Sequence, residues 1–179
     1  MFYRRFAIIL LASVLGMANF PLLGASSSRE AGFVNTNPPK AVPAFSFEDE
    51  KGRSIDFRDF HGRYVLLNLW DTTCAPCVTE MPKLDQLSDA LGDKRFAVIA
   101  LNEDHAGADI VRLFYKRHAI KNLPVYIDGS GRAPFVLHAR GLPTTILLDP
   151  QGMEIARLEG AADWTSPSMI EFLQSKARP

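Results

Sequence analysis

The chain has 179 residues, enough for one ordinary domain and an appendage, and its 47% hydrophobic and 22% charged content is typical of a protein that buries a core. Its 20 basic and 20 acidic residues give a formal net charge of zero, so the composition carries no basic footprint of a nucleic-acid-binding protein. Only two cysteines occur, which excludes the several-bridge framework of small secreted proteins.

The N-terminus has the pattern of a segment that enters a membrane. Arg4 and Arg5 precede an uncharged and mostly apolar stretch that ends at Leu23. Positive charges before such a stretch predict that the N-terminus stays in the cytoplasm and that the rest of the chain is exported. Residues 1–23 are then either an uncleaved membrane anchor, the interpretation we favour, or a signal segment cleaved after Ala25.

Residues 24–43 are predicted to be a linker between this segment and a folded domain of residues 44–179. The stretch is rich in Ser, Asn, Pro and Gly, the composition of a linker. Asn37, Pro38, Pro39 and Pro43 favour an extended path.

The domain of residues 44–179 is predicted to alternate strands and helices. Apolar or β-branched runs between turn residues predict strands at 45–47, 54–57, 64–69, 96–101, 125–128, 145–149 and 153–158. Apolar residues at helical spacing predict helices at 77–91, 110–117 and 169–176, with a short helix or turn at 133–140. This order predicts an α/β thioredoxin fold: a central mixed sheet flanked by helices, preceded by a β-hairpin extension.

The two cysteines stand where a predicted buried strand gives way to a helix. Cys74 falls at the first helical turn, where unpaired N–H groups and the helix dipole stabilise a thiolate and lower its pKa. Cys77 lies one turn later, within reach of a mixed disulfide on Cys74. Pro76 falls at an early helical position where its missing N–H costs little. The spacing therefore predicts a redox pair with Cys74 as the nucleophile.

Three other uses of such a cysteine pair are less well supported. A structural disulfide that closes so short a loop gains only ~2 kcal/mol. Zinc requires two further ligands, whereas the four histidines are scattered and no second cysteine pair exists. Covalent haem attachment requires a histidine after the second cysteine, and Val78 stands there. We therefore predict no metal site and no dissociable cofactor, with electrons moving by thiol–disulfide exchange.

Residues 41–176 resemble the TlpA/ResA branch of the thioredoxin superfamily. The motifs that carry the resemblance are YVLLNLW at 64–70, CAPC at 74–77, EMP at 80–82, GLPTT at 141–145 and DPQG at 149–152. The resemblance continues through Trp164 into the last predicted helix. Because these motifs occur in the right order along the whole domain, the resemblance implies a thioredoxin fold.

The resemblance also implies a function and a place in the cell. It implies an enzyme anchored in the bacterial inner membrane with its domain facing the periplasm, or a soluble periplasmic enzyme if the N-terminal segment is cleaved. Such proteins keep cysteines reduced on partner proteins during cytochrome c or cytochrome oxidase maturation. A membrane reductase of the CcdA or DsbD type is the implied electron donor.

Further site residues follow from the same resemblance. Pro143 corresponds to a cis-proline beside the active site, where the backbone of Leu142 faces the incoming substrate chain. Trp70 borders the site and Glu80 matches the carboxylate near the thiols. We expect Glu80 and Asp71 to tune the thiol pKa, because a negative charge near sulfur disfavours the thiolate.

The chain departs from the pattern of this branch next to the cysteines. The branch usually has Ala after Trp70 and Trp directly before the first cysteine, whereas this chain has Asp71 and Thr73. We expect this change to affect the choice of partner more than redox activity. Three rival functions remain open on the same fold: a disulfide-forming oxidase or isomerase, a copper-binding assembly factor and, with less support, a thiol peroxidase.

Overall fold

The computed structural model describes residues 29–177. The strands are β1 (Arg29–Glu30), β2 (Phe33–Ala41), β3 (Ser46–Asp49), β4 (Ser54–Asp56), β5 (Tyr64–Trp70), β6 (Phe96–Asn102), β7 (Tyr126–Ile127), β8 (Thr144–Leu148) and β9 (Met153–Glu159). The helices are α1 (Ala75–Leu91), α2 (Ala108–Arg117), α3 (Ala133–Val136) and α4 (Pro167–Ala177), and a 3₁₀ helix spans Phe57–Phe60. No helix within residues 29–177 is long and apolar enough to cross a membrane. The predicted segment 1–23 lies outside the described residues.

The strands form one mixed sheet in the order β1-β2-β9-β8-β5-β6-β7-β3-β4. β5 lies at its centre, parallel to β6 and antiparallel to β8. The hairpin of β3 and β4 pairs with β7 and closes one edge. A parallel pair that is joined through a helix, followed by an antiparallel pair and a last helix, is the arrangement predicted from the sequence.

The sheet separates two hydrophobic cores, because side chains alternate between its faces along each strand. On β5, Leu66 and Trp70 belong to the core that α1, α2 and α4 cover. Leu67 and Leu69 belong to the core on the opposite face, covered by the hairpin, the 3₁₀ helix and α3. Burial on both faces explains why β5 is an almost continuous apolar run.

The predicted order of strands and helices is confirmed for residues 44–177, with differences at the boundaries. The first helix begins at Ala75 rather than at residue 77, with Cys74 as its N-cap residue. The short helix α3 ends at Val136 rather than at residue 140.

The prediction of a linker at residues 24–43 is wrong for much of its length. Phe33–Ala41 forms strand β2, which pairs antiparallel with β9. Phe33 is fully buried and stacks on Phe172 of α4 with 5.0 Å between ring centroids. The pairing register shifts between Asn35 and Lys40, and that irregularity accommodates the Asn-Pro-Pro sequence, because proline cannot donate to a strand ladder. A polar, proline-containing composition therefore concealed a strand.

Candidate active site

Cys74 and Cys77 form a disulfide at the N-terminal end of α1. Cys74 is the N-cap residue of this helix, and its Sγ accepts a hydrogen bond from the backbone N–H of Cys77 over 3.3 Å. Cys74 is half-buried, whereas Cys77 is completely buried. Pro76 is exposed in the first helical turn. The sulfur at the N-cap is therefore the one that a substrate can reach.

The turn before Cys74 is held by two carboxylates. Asp71 accepts hydrogen bonds from the backbone N–H and the hydroxyl of Thr73, at 2.5 and 2.6 Å. Asp104, which is buried at the end of β6, accepts from the backbone N–H of Thr72 over 3.0 Å and from its hydroxyl over 3.1 Å. These bonds fix residues 71–73, so the backbone that leads into the disulfide is preorganised.

Trp70, the residue before this turn, packs in the core against α2. Its side chain is fully buried and packs against two aromatic rings of α2, with centroid distances of 4.9 Å to Phe114 and 6.1 Å to Tyr115. Trp70 is thus a packing residue that lies next to the site, and it joins the active-site turn to α2.

The Leu142–Pro143 peptide bond is cis, as the sequence comparison predicted. β8 pairs with β5 through Thr144 and Leu69, which places Pro143 level with Trp70, at the end of β5 from which the cysteine motif begins. Leu142 is half-buried and packs against both cores. The two predicted substrate-facing residues therefore lie at the same edge of the sheet as the disulfide.

Glu80 lies on the buried face of α1, one turn after Cys77, and its exposed fraction is 2%. Its Oε1 accepts a hydrogen bond from Nδ2 of Asn68 and its Oε2 accepts from the backbone N–H of Ala162, both over 2.9 Å. Burial raises the pKa of Glu80, while these two hydrogen bonds oppose the rise. Glu80 is therefore a buried acid close in the chain to Cys77.

Glu103 is a second perturbed acid, and sequence analysis missed it. Its backbone N–H donates to the carbonyl oxygen of Trp70 over 2.8 Å, which places it beside the turn that carries Asp71. Both carboxylate oxygens are buried without a hydrogen-bond partner among the described residues. Burial, reinforced by the neighbouring carboxylate of Asp128, raises the pKa of Glu103 to about 8.

Asn68 and Asp104 also escaped sequence analysis. Asn68 is a single polar residue inside the apolar run of β5, and Asp104 lies two residues after the end of β6. A polar residue in the middle of a strand that is buried on both faces must find hydrogen-bond partners, and this was the available signal for Asn68. Within residues 29–177 no group of three or more His, Cys, Asp or Glu side chains is arranged to hold a metal ion.

Comparison with known proteins places the chain among redox proteins. Residues 38–158 match the model of the AhpC/TSA family. The thiol-disulfide oxidoreductase ResA of Bacillus cereus is 33% identical over 170 residues, covering 94% of each chain. The thioredoxin-like protein YneN of Bacillus subtilis is 32% identical over 156 residues, which is 86% of this chain and 88% of that protein.

Solved structures agree with these sequence matches. A thiol-disulfide oxidoreductase from Bacteroides fragilis superposes with a TM-score of 0.62 and 26% identity, covering 76% of this chain and 98% of that one. A candidate thiol:disulfide interchange protein DsbE from Chlorobium tepidum gives a TM-score of 0.64 at 25% identity, covering 77% and 93%. The predicted thioredoxin fold is confirmed, and so is the resemblance on which that prediction drew.

Proposed function

The chain belongs to the AhpC/TSA family and is a thiol–disulfide oxidoreductase, and from this premise we propose that it faces the periplasm and reduces cysteines of partner proteins during cytochrome c or cytochrome oxidase maturation. The observation that carries the proposal is the pairing of a reachable Cys74 at a helix N-terminus with a fully buried Cys77. The sulfur of Cys74 can attack a partner protein, whereas the sulfur of Cys77 is shielded from solvent.

The proposed reaction is a two-step exchange. The Cys74 thiolate attacks one sulfur of the partner's disulfide, so that a mixed disulfide forms and the partner's other sulfur leaves as a thiolate. Cys77 then loses its proton and attacks Sγ of Cys74, which releases the partner's second thiol. Two electrons pass to the partner, and the enzyme is left with the Cys74–Cys77 disulfide. A membrane reductase of the CcdA or DsbD type would return the enzyme to the dithiol.

The charges around the motif support the reducing direction. Residues 70–82 contain no Lys, Arg or His, whereas they contain Asp71 and Glu80. Negative groups disfavour the thiolate, so the reduced form is stabilised less than in a strongly oxidising enzyme. The disulfide should then be comparatively hard to reduce, and the dithiol a good electron donor.

Trapping of partners tests this function. Cys77→Ser should accumulate mixed disulfides between Cys74 and partner proteins in cells, and Cys74→Ser, as the matched control, should accumulate none. Trapped partners are expected to be assembly proteins of cytochrome c or cytochrome oxidase. Equal trapping by the two variants would contradict the division of labour, and partners that carry stable structural disulfides would point to an oxidase or isomerase instead.

Labelling of the thiol tests the location. In reduced cells with a permeable outer membrane, a membrane-impermeant thiol reagent should reach Cys74 of the full-length protein. Labelling that requires lysis of the inner membrane would contradict a periplasm-facing domain. Recovery of a chain that begins near Ser26 would favour cleavage over anchoring.

A further inference from the structure

A groove of about 250 Å³ opens beside the first turn of α1. Thr72 and Val78 form the wall next to the disulfide, and α2 supplies the opposite wall. The lining residues from α2 and its C-cap are Ile110, Leu113, Phe114, Arg117 and His118. The groove therefore runs between the active-site helix and α2.

The near end of the groove is lined by residues that flank the cysteine motif in the chain, Thr72 and Val78. Val78 directly follows Cys77, and its backbone N–H donates to the carbonyl oxygen of Cys74 over 3.0 Å. Thr72 is two residues before Cys74 and is fixed by Asp104. Because one helical turn rises only about 5.4 Å, a chain whose sulfur reaches Cys74 can place a neighbouring residue at the mouth of this groove.

The middle of the groove is apolar and partly open to solvent. Phe114 is buried beneath it, whereas Leu113 exposes 47% of its surface. Among the described residues, only Val34 and Phe135 are other large apolar side chains counted as exposed. An exposed leucine in a concave site next to a reactive group is placed to cover an apolar side chain of a ligand.

The far end of the groove is positively charged. Arg117 lies in the last turn of α2, and within residues 29–177 it forms no ion pair. His118 stacks on Phe114 with 4.2 Å between ring centroids, which orders this end. Arg112, one turn earlier, is by contrast already paired with Asp109. The groove thus combines an apolar centre with an unneutralised cation that can receive a carboxylate.

We propose that this groove binds the segment of a protein substrate that flanks its reactive cysteine. An apolar side chain of that segment lies between Val78 and Leu113, and a carboxylate farther along it meets Arg117. The inference rests on the proposed function in one respect, namely that the substrate is a protein. It adds a specificity determinant that lies outside the cysteine motif and the Leu142–Pro143 segment.

Peptide disulfides of defined sequence test the groove. Each probe is a ten-residue peptide whose single cysteine is linked to glutathione in a mixed disulfide. One Leu lies two to four residues before or after the cysteine, and one Asp lies beyond the Leu. Each has a partner peptide with Ser for Leu and another with Lys for Asp. The rate constant for release of the peptide thiol by the reduced enzyme is measured for every probe.

In at least one register, the wild type should release the Leu peptide about tenfold faster than its Ser partner. This preference should disappear in Leu113→Asp and persist in Val34→Asp, which alters a side chain of matched exposure (44%) on another part of the surface. The preference for Asp over Lys should reverse in Arg117→Glu and persist in Lys116→Glu. Reaction with glutathione disulfide should be the same in wild type, Val34→Asp and Lys116→Glu, and the preferences of Leu113→Asp and Arg117→Glu are ratios of rate constants taken within each variant.

Equal rates for Leu and Ser peptides in every register would overturn the proposal. So would a dimeric wild type that becomes monomeric in Leu113→Asp, because the groove would then take a second copy of the chain. The preference for one peptide over another is a ratio of rate constants, so it can be measured whether the enzyme reduces or oxidises its partners in the cell. If the wild-type enzyme had the reduction potential of a strong oxidant, the reductase function would be contradicted. The ratio of peptide rate constants would still show whether the groove binds the flanking segment.

Discussion

The side-chain amide of Asn68 donates a hydrogen bond to Oε1 of Glu80 over 2.9 Å, and the exposed fractions of the two residues are 0% and 2%. The same amide donates to the hydroxyl of Thr145 on β8, again over 2.9 Å. A carboxylate on the active-site helix is therefore tied to the central strand of the sheet. Hydrogen bonds inside the core therefore fix the position of the Glu80 carboxylate, one turn after Cys77.

This contact predicts a pH-dependent loss of stability in Asn68→Asp. The substitution places two buried carboxyl groups in contact, so the pKa of one of them must rise in the folded state. An acid whose pKa is higher in the folded state destabilises the fold above its unfolded pKa. We expect the free energy of unfolding to fall by about 3 kcal/mol at pH 7 and to recover towards pH 4.

Urea unfolding of wild type and variant between pH 4 and pH 8 measures this loss. The double variant Asn68→Asp with Glu80→Gln is the control, because one neutral partner removes the repulsion and should restore most of the stability at pH 7. A deficit that is equal at every pH would show that packing, and not charge, accounts for the effect.

The second prediction concerns the redox potential. Glu80→Gln and Asp71→Asn should each lower the pKa of the Cys74 thiol and make the reduction potential less negative, because a carboxylate near sulfur disfavours the thiolate. Since burial raises the pKa of Glu80, the effect of Glu80→Gln should grow as the pH rises and this group ionises. A shift of ~30 mV corresponds to ~1.4 kcal/mol and is readily measured.

Thiolate absorbance during pH titration and equilibration with glutathione give the two quantities. Glu171→Gln changes an exposed carboxylate on α4 and should leave both values unaltered. Unchanged values in both active-site variants, or a wild-type potential near the ~−120 mV of DsbA, would remove the electrostatic argument for a reductase.

The third prediction uses Glu103, whose pKa is raised to about 8. Between the unfolded pKa near 4.5 and about 8, the folded protein keeps a proton on Glu103 that the unfolded chain has lost, so the contribution of Glu103 to stability falls with pH in this window. Glu103→Gln removes this proton uptake. It should stabilise the protein by about 2 kcal/mol at pH 8 and flatten the decline.

Denaturant unfolding at pH 4 and pH 8 checks the Glu103 prediction. At pH 4 the carboxyl group is mostly protonated in both states, so that wild type and variant should differ little there. Parallel stability profiles across the window would contradict a proton held by Glu103.

The fourth prediction follows from the unequal burial of the two cysteines. In the reduced protein at pH 7, iodoacetamide should modify half-buried Cys74 at least about tenfold faster than fully buried Cys77. Mass spectrometry of proteolytic peptides at increasing times gives the two rates. Cys77→Ser should retain the fast reaction, and modification of Cys77 first would contradict Cys74 as the nucleophile.

Much of the fold and the reactive pair could be predicted from local patterns. The apolar runs of β5 and β6 and the helical spacing after Cys77 come from residues that are neighbours in the chain. The short spacing of Cys74 and Cys77 at a strand-to-helix junction likewise indicated redox chemistry. In each case the sequence pattern that predicts the feature is carried by residues close together in the chain.

Other features depend on contacts between distant segments. Residues 33–41 have the composition of a linker, yet they form a strand because β9 offers a pairing edge and Phe33 reaches Phe172. The groove beside the disulfide exists only because α2 packs next to α1.

The sequence by itself determined the order of the strands and α-helices from β3 onward, the closely spaced cysteine pair and the family, since short-range hydrophobic periodicity and a motif encode them. Only the tertiary structure determined the pKa shifts of the buried acids. Glu80 meets Asn68 and Ala162 across the core, and Glu103 is buried beside Asp128. The pKa of a carboxyl group depends on its solvent exposure and on the charges and hydrogen-bond donors around it, and only folding brings those together.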